Sequence, residues 1–196
     1  MKKAYIKSIS YYVSENEISN DSLSLKFPEW DSKKILKKTG INKRFKSSEN
    51  EFSSDLAIKA SQKLFNENSI DKSKIDFVIL CTQSPDYFLP TTACILQDKL
   101  GLSTNCGALD FNLGCSGYVY GLAICKGLIE SSIAKNILFI TAETYSKFIH
   151  SKDKGNQTIF TDAASATLIS ESGIKEILNF DLGTDGSGYK KLIVEE

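Results

Sequence analysis

The feature that most narrows the fold is an alternation between residues 75 and 142, where three short apolar runs are separated by two segments with the character of helices. Ile75-Asp76-Phe77-Val78-Ile79-Leu80-Cys81 is rich in β-branched residues, the composition of a strand covered on both faces. Pro85 and Pro90 punctuate the loop that follows, and Thr91-Thr92 stand where they can cap a helix running to Leu100, with Gly101 just past its end. Gly107 to Phe111 reads as the next strand, and Asn112-Leu113-Gly114 leads into a helical stretch from Cys115 to about Ser131. That stretch is apolar nearly all round, which predicts a helix inside the protein. Asn136 to Ala142 supplies a third strand. Strand, helix, strand, helix, strand in short succession predicts an α/β layered fold with right-handed crossovers.

The flanking segments are less sharply patterned. Lys33-Lys34-Ile35-Leu36-Lys37-Lys38, ending at Thr39-Gly40-Ile41, reads as a solvated helix stopped by its glycine. Ser53-Ser54-Asp55 offers a capping serine and an early acid, and Leu56, Ala60 and Leu64 follow at helical spacing. Ala166 to Ile169, Lys175 to Asp181 and Leu192 to Val194 suggest further strands, with Gly183 to Gly188 as the turn of a closing hairpin. No internal repeat or low-complexity linker divides the 196 residues, so a single domain over 1–196 is expected.

Charge and cysteine usage exclude several partner classes. Twenty-four basic side chains balance twenty-four acidic ones, leaving no whole-chain field to gather nucleic acid or an anionic membrane. No apolar run is long enough to span a bilayer, and the lysines at the N-terminus are not followed by an apolar signal segment. The five cysteines, Cys81, Cys94, Cys106, Cys115 and Cys125, are odd in number and follow no metal-site spacing. Their apolar surroundings predict reduced thiols in the cytoplasm, and no metal or cofactor is expected.

One of these thiols is placed for chemistry. Asn112-Leu113-Gly114-Cys115-Ser116-Gly117 sets a cysteine where a strand and tight turn enter a helix, and the unpaired amides of a helix N-terminus favour an anion there. The backbone at Gly114, Ser116 and Gly117 could serve as an oxyanion hole for a thioester carbonyl, which would suit acyl transfer onto sulfur. The competing reading is a small buried apolar cysteine.

At this point a resemblance enters. Gly114-Cys115-Ser116-Gly117-Tyr118-Val119-Tyr120-Gly121-Leu122 resembles the nucleophile segment of the β-ketoacyl-acyl-carrier-protein synthase III family. Lys38-Thr39-Gly40-Ile41, Ser54-Asp55-Leu56-Ala57, Thr82-Gln83-Ser84-Pro85-Asp86, Pro90-Thr91-Thr92-Ala93-Cys94, Ala142-Glu143 and Phe160-Thr161-Asp162-Ala163-Ala164-Ser165-Ala166 fall in that family's order. The resemblance implies a thiolase-type α/β/α half with a mixed five-stranded sheet, in a cytosolic homodimer paired through that sheet. It further implies that Cys115 takes an acyl group from an acyl-coenzyme A primer and passes it to a carbanion, formed when a malonyl thioester on the acyl carrier protein loses its carboxyl group.

The likeness covers the first half of such an enzyme. The histidine and asparagine that activate the malonyl group belong to the family's second half, so the chain is expected to be an N-terminal fragment. His150 falls in a variable loop and reads as a surface side chain. Lys34 stands where the family has a tryptophan and Lys154 where it has an arginine, the pair that sandwiches the adenine of coenzyme A; Trp30 lies four residues earlier. The family glycines around Asp162 are here Thr161 and Ala163. Leu89 matches a position from which a bulky side chain reaches the partner's acyl pocket. Glu143 and Asp110 read as buried carboxylates held by amides. Two alternatives stay open: a non-catalytic thiolase-like half that only dimerises, and a related thiolase-fold acyltransferase of specialised metabolism.

Overall fold

The computed structural model describes residues 2–191 and 193. Its strands are β1 (Tyr5–Val13), β2 (Asn16–Ser19), β3 (Lys43–Lys46), β4 (Phe77–Cys81), β5 (Gly107–Phe111), β6 (Asn136–Glu143), β7 (Ala163–Ser170) and β8 (Lys175–Glu176). Its helices are α1 (Asn20–Lys26), α2 (Ser32–Thr39), α3 (Ser53–Asn68), α4 (Thr92–Lys99), α5 (Gly117–Glu130) and the short α6 (Lys154–Gln157).

The main sheet has the order β5-β4-β6-β7-β1-β8, and β2 pairs with β3 separately. β4 runs parallel to both β5 and β6, whereas β7 is antiparallel to β6 and to β1, so the sheet is mixed. The expected five strands are all present, and the two-residue β8 adds a sixth along β1.

Strand alternation divides the core into two layers. Val78, Leu80, Leu138 and Ile140 point to one face, where Leu56, Ala60 and Leu64 of α3 and Ala93 and Leu96 of α4 cover them. Ile79, Cys81, Ile137 and Phe139 point to the other, against Cys125 and Ile129 of α5. The sheet is thus sandwiched between helices, an α/β/α arrangement.

Three expectations need correction. α5 is not enclosed all round: only Gly117, Gly121, Cys125 and Ile129 are buried, one stripe with a period of four, and Val119 keeps 44% of its surface exposed. The helix has the sheet on one side and also meets the segment after β8, where Tyr120 Oη donates to Gly183 O at 3.1 Å and Lys126 Nζ to Ile177 O at 3.1 Å. Residues 183–188 do not form the turn expected of a closing hairpin. The strand expected from Lys175 to Asp181 stops at Glu176, because β8 has only the first residues of β1 to pair with, and Gly186–Lys191 is a 3₁₀ turn. Leu192 and Val194 of the last expected strand lie outside the described residues.

The third correction concerns helix caps. Ser53 does not cap α3; its hydroxyl lies 2.8 Å from Ser84 Oγ, while Asp86 accepts from Ser54 N at 3.1 Å. Thr91 makes no side-chain cap for α4. The carboxylate of Asp110, on β5, accepts from Thr92 N and Ala93 N, both at 2.6 Å. Each helix start meets an acid from another segment, and α3 also uses its own Asp55, which accepts from Phe52 N at 2.8 Å; negative charge is the favourable sign at a helix N-terminus. These bonds fix both helices against the strand ends.

Candidate active site

Because β4, β5 and β6 are parallel neighbours, their carboxyl ends and the loops that leave them emerge on one side of the sheet, where open α/β sheets bind ligands. Cys115 is on the loop after β5. It is exposed, and it immediately precedes Ser116, the N-cap of α5. The backbone closes a tight turn there: Gly117 N donates to Gly114 O at 2.8 Å, and Tyr120 N donates to Ser116 O at 3.1 Å. The Gly117 amide is therefore spent on the turn and is not a free oxyanion donor. The amides of Gly114, Cys115 and Ser116 donate to no protein acceptor among the described residues, leaving three consecutive N–H groups beside the sulfur.

The turn rests on packed neighbours. Cys81, at the end of β4, donates its thiol to Leu113 O at 3.2 Å. Burial pushes that thiol up to about 11, so it stays protonated and able to donate. A Cβ at Gly117 would lie 2.4 Å from Cys81 Sγ, which is why only glycine fits at the first position of α5. The glycines flanking Cys115 thus make room for the protein's own side chains: Gly114 lies against the carboxamide of Gln83, whose Oε1 would be 3.0 Å from a Cβ there.

Glu143, at the end of β6, ties the next loop in place. Its carboxylate accepts from Gln83 N at 2.7 Å and from Ser84 Oγ at 2.6 Å, and Ser84 Oγ in turn accepts from Thr144 N at 2.9 Å. Burial raises the Glu143 pKa, with the Ser84 hydroxyl and Gln83 amide opposing it; Asp110 is raised by burial in the same way against its two amide donors. Asp162 is fully buried and accepts from the amides and hydroxyls of both Ser47 and Ser146. It holds its turn without the flanking glycines.

Lys154 and Lys34 converge on one residue. Lys154 Nζ donates to Glu29 Oε1 at 2.9 Å and sits 5.7 Å from the centroid of the Trp30 ring, while Lys34 Nζ donates to Glu29 O at 3.2 Å. Lys38 stands 5.1 Å from the same ring. The Lys154 ammonium lowers the Glu29 pKa. Trp30 is therefore the residue that sequence spacing passed over: the turn between α1 and α2 carries the indole to Lys154 although it lies four residues early. Its signal was simply being the single tryptophan of the chain.

Leu89 is at the tip of the loop after β4, 73% exposed, beside Tyr87 at 59% and Phe88 at 99%. These side chains, with Phe111 and Asn112, line a groove of about 380 Å³. His150 is exposed, and its Nδ1 accepts from Lys152 N at 3.2 Å. Among the described residues, no group of three or more His, Cys, Asp or Glu side chains is placed to hold a metal ion, and no helix is long and apolar enough to cross a membrane.

Comparison with known proteins now adds to this geometry. The family model described as 3-oxoacyl-[acyl-carrier-protein (ACP)] synthase III matches residues 109–186, which include Cys115. A β-ketoacyl-[acyl-carrier-protein] synthase III of Clostridium perfringens is 39% identical over all of this chain, and one of Sulfurimonas denitrificans is 40% identical over 95% of it. The chain spans about 60% of the first of these relatives and 56% of the second. A crystal structure of a 3-oxoacyl-(acyl-carrier-protein) synthase III superimposes with a TM-score of 0.94 at 48% identity, covering 97% of this chain and 57% of that one. The priming β-ketosynthase of the R1128 polyketide pathway, 23% identical with a TM-score of 0.89, shares the fold.

Proposed function

Because the chain belongs to the 3-oxoacyl-[acyl-carrier-protein] synthase III family and carries the N-terminal portion of its members, we propose that it is the nucleophile-bearing part of a condensing acyltransferase. Cys115 is the acyl acceptor. Its thiolate attacks the carbonyl of an acyl-coenzyme A, the amides of Gly114 and Ser116 receive the developing oxyanion, and collapse of the tetrahedral adduct expels the coenzyme A thiolate. The acyl group is left on sulfur as a thioester. In the second half-reaction a malonyl thioester on the acyl carrier protein loses carbon dioxide, and the resulting carbanion attacks the acyl-Cys115 carbonyl, expelling the Cys115 thiolate. The groups that activate the malonyl thioester belong, by the family resemblance, to the portion of the relatives that this chain does not span.

Substrate recognition follows from the side chains around Trp30. The indole offers a flat face for adenine, and Lys154 over that ring supplies charge without the fork of an arginine. Lys34 and Lys38 add cations for the phosphates. No resident cofactor is required, since coenzyme A enters and leaves as substrate. The functional unit is a cytoplasmic homodimer in which β5, the open edge of the sheet, pairs with its copy, and the exposed Tyr87-Phe88-Leu89 tip reaches the partner.

The observation that carries this reading is an exposed thiol beside three unspent backbone amides at the start of a helix. Intact-mass analysis after mixing the protein with acetyl- and butanoyl-coenzyme A tests it. An acyl adduct mapping to the Cys115 peptide is expected, and it disappears in Cys115→Ala. Absence of any adduct on the unmodified protein sinks the catalytic reading in favour of a scaffold that only dimerises.

A further inference from the structure

The loop after β4 brings a second polar side chain to the nucleophile turn. Gln83 is exposed, its carboxamide packs against Gly114, the residue before Cys115, and that carboxamide has no protein hydrogen-bond partner among the described residues. A long unbranched side chain ordinarily has several rotamers to choose from, but here its main chain is fixed. Glu143 accepts the Gln83 amide hydrogen and the Ser84 hydroxyl hydrogen, and Ser84 is itself locked by Thr144 N and Ser53 Oγ. Three segments therefore fix the main chain that carries one uncommitted amide group, with two N–H donors and one carbonyl acceptor, against the turn that bears Cys115. Cys81 is occupied with Leu113 O and the close approach of Gly117, and Leu89 is exposed at the loop tip.

We propose that Gln83 is a specificity-determining residue of the acyl site, selecting acyl groups that carry a hydrogen-bonding oxygen close to the thioester over plain alkyl chains of the same length, and that Glu143 is its positioning residue. The physical basis is asymmetric. A hydroxylated acyl group pairs with the carboxamide, whereas an alkyl group forces that amide to lose water with nothing in return. The proposal rests on the acyl-Cys115 reading for its substrate, but the placement of Gln83 beside the thiol can be probed without it.

Two arms test it. In the first, rates of Cys115 acylation are compared for 3-hydroxybutanoyl- and butanoyl-coenzyme A. The unmodified protein favours the hydroxylated donor, and Gln83→Leu reduces that preference roughly 10-fold. Glu143→Leu moves the ratio in the same direction, and Glu143→Gln, which keeps an acceptor for the Gln83 amide, restores it. In the second arm Cys115 is alkylated with iodoacetamide and with N-hexyl iodoacetamide, and Gln83→Leu and Gln83→Met raise the relative rate of the hexyl reagent several-fold. Position 83 is exposed, so these variants fold even where Glu143→Leu does not. Unchanged ratios in the alkylation arm overturn the proposal whatever the acylation arm gives. An altered alkylation ratio with no acyl adduct on the unmodified protein keeps Gln83 at the thiol and removes the acyltransferase reading instead. An acylation preference that Gln83→Leu leaves intact also overturns it.

Discussion

Glu143 shows how a single carboxylate can brace a site and tax the fold at once. Burial raises its pKa above the unperturbed 4.5 even though an amide and a hydroxyl donate to it. The folded chain therefore holds that proton more tightly than the unfolded chain. Its contribution to stability is fully present below the unfolded value and is lost as pH rises through the raised one. Glu143→Gln removes this dependence, so urea denaturation at pH about 7 and about 5 should show the unmodified protein gaining on the variant at the lower pH. A constant difference between the two proteins contradicts the assignment. Cys115 was legible in the sequence because a helix entrance and a matching motif mark it, whereas Lys154 stood out only as a departure from the arginine of the family it resembles. The surroundings of Trp30 and Gln83 were not legible, since each is set by a residue far along the chain: Lys154 beside the indole, and Gly114 against the carboxamide.

At the level of elements, the parallel strands and their crossover helices were plain from composition, and β1 was not. Its inward-facing residues include Ser8 and Ser10, both buried, while Ile9 and Tyr11 are 51% and 62% exposed. The apolar alternation that announces a half-buried strand is thus inverted, and only pairing with β7 reveals it. Helix caps were read only in part for a related reason: the early acid Asp55 does accept from Phe52 N at the start of α3, but Asp86 and Asp110, which bond the first amides of α3 and α4, arrive from other segments. α5 carries a sharper test. A Cβ at Gly121 would fall 2.0 Å from Phe139 Cζ, whereas nothing lies within 4 Å of one at Gly127. Gly121→Ala should cost about 1–3 kcal/mol through overpacking. Gly127→Ala should instead stabilise by roughly 0.4–1 kcal/mol through a stiffer unfolded chain. Thermal melts of the two variants, moving in opposite directions, check both.

For the whole molecule, the two sides of the sheet are unequal. β8 closes one edge with two residues, and β5 leaves the other open with Leu109 38% exposed. Sedimentation should find the protein dimeric and Leu109→Lys monomeric, because like charges meet across an isologous strand pair; a variant that stays dimeric places the interface elsewhere. The mixed topology has one more consequence, in the order of assembly. Tyr5 of β1 is paired with Ser170 and Glu176, so β1 finds its sheet neighbours only after the intervening helices and strands have been synthesised. The nascent chain therefore carries that segment unpaired until β7 has emerged, and the inward serines that hide β1 from pattern reading also make it a less adhesive passenger while it waits.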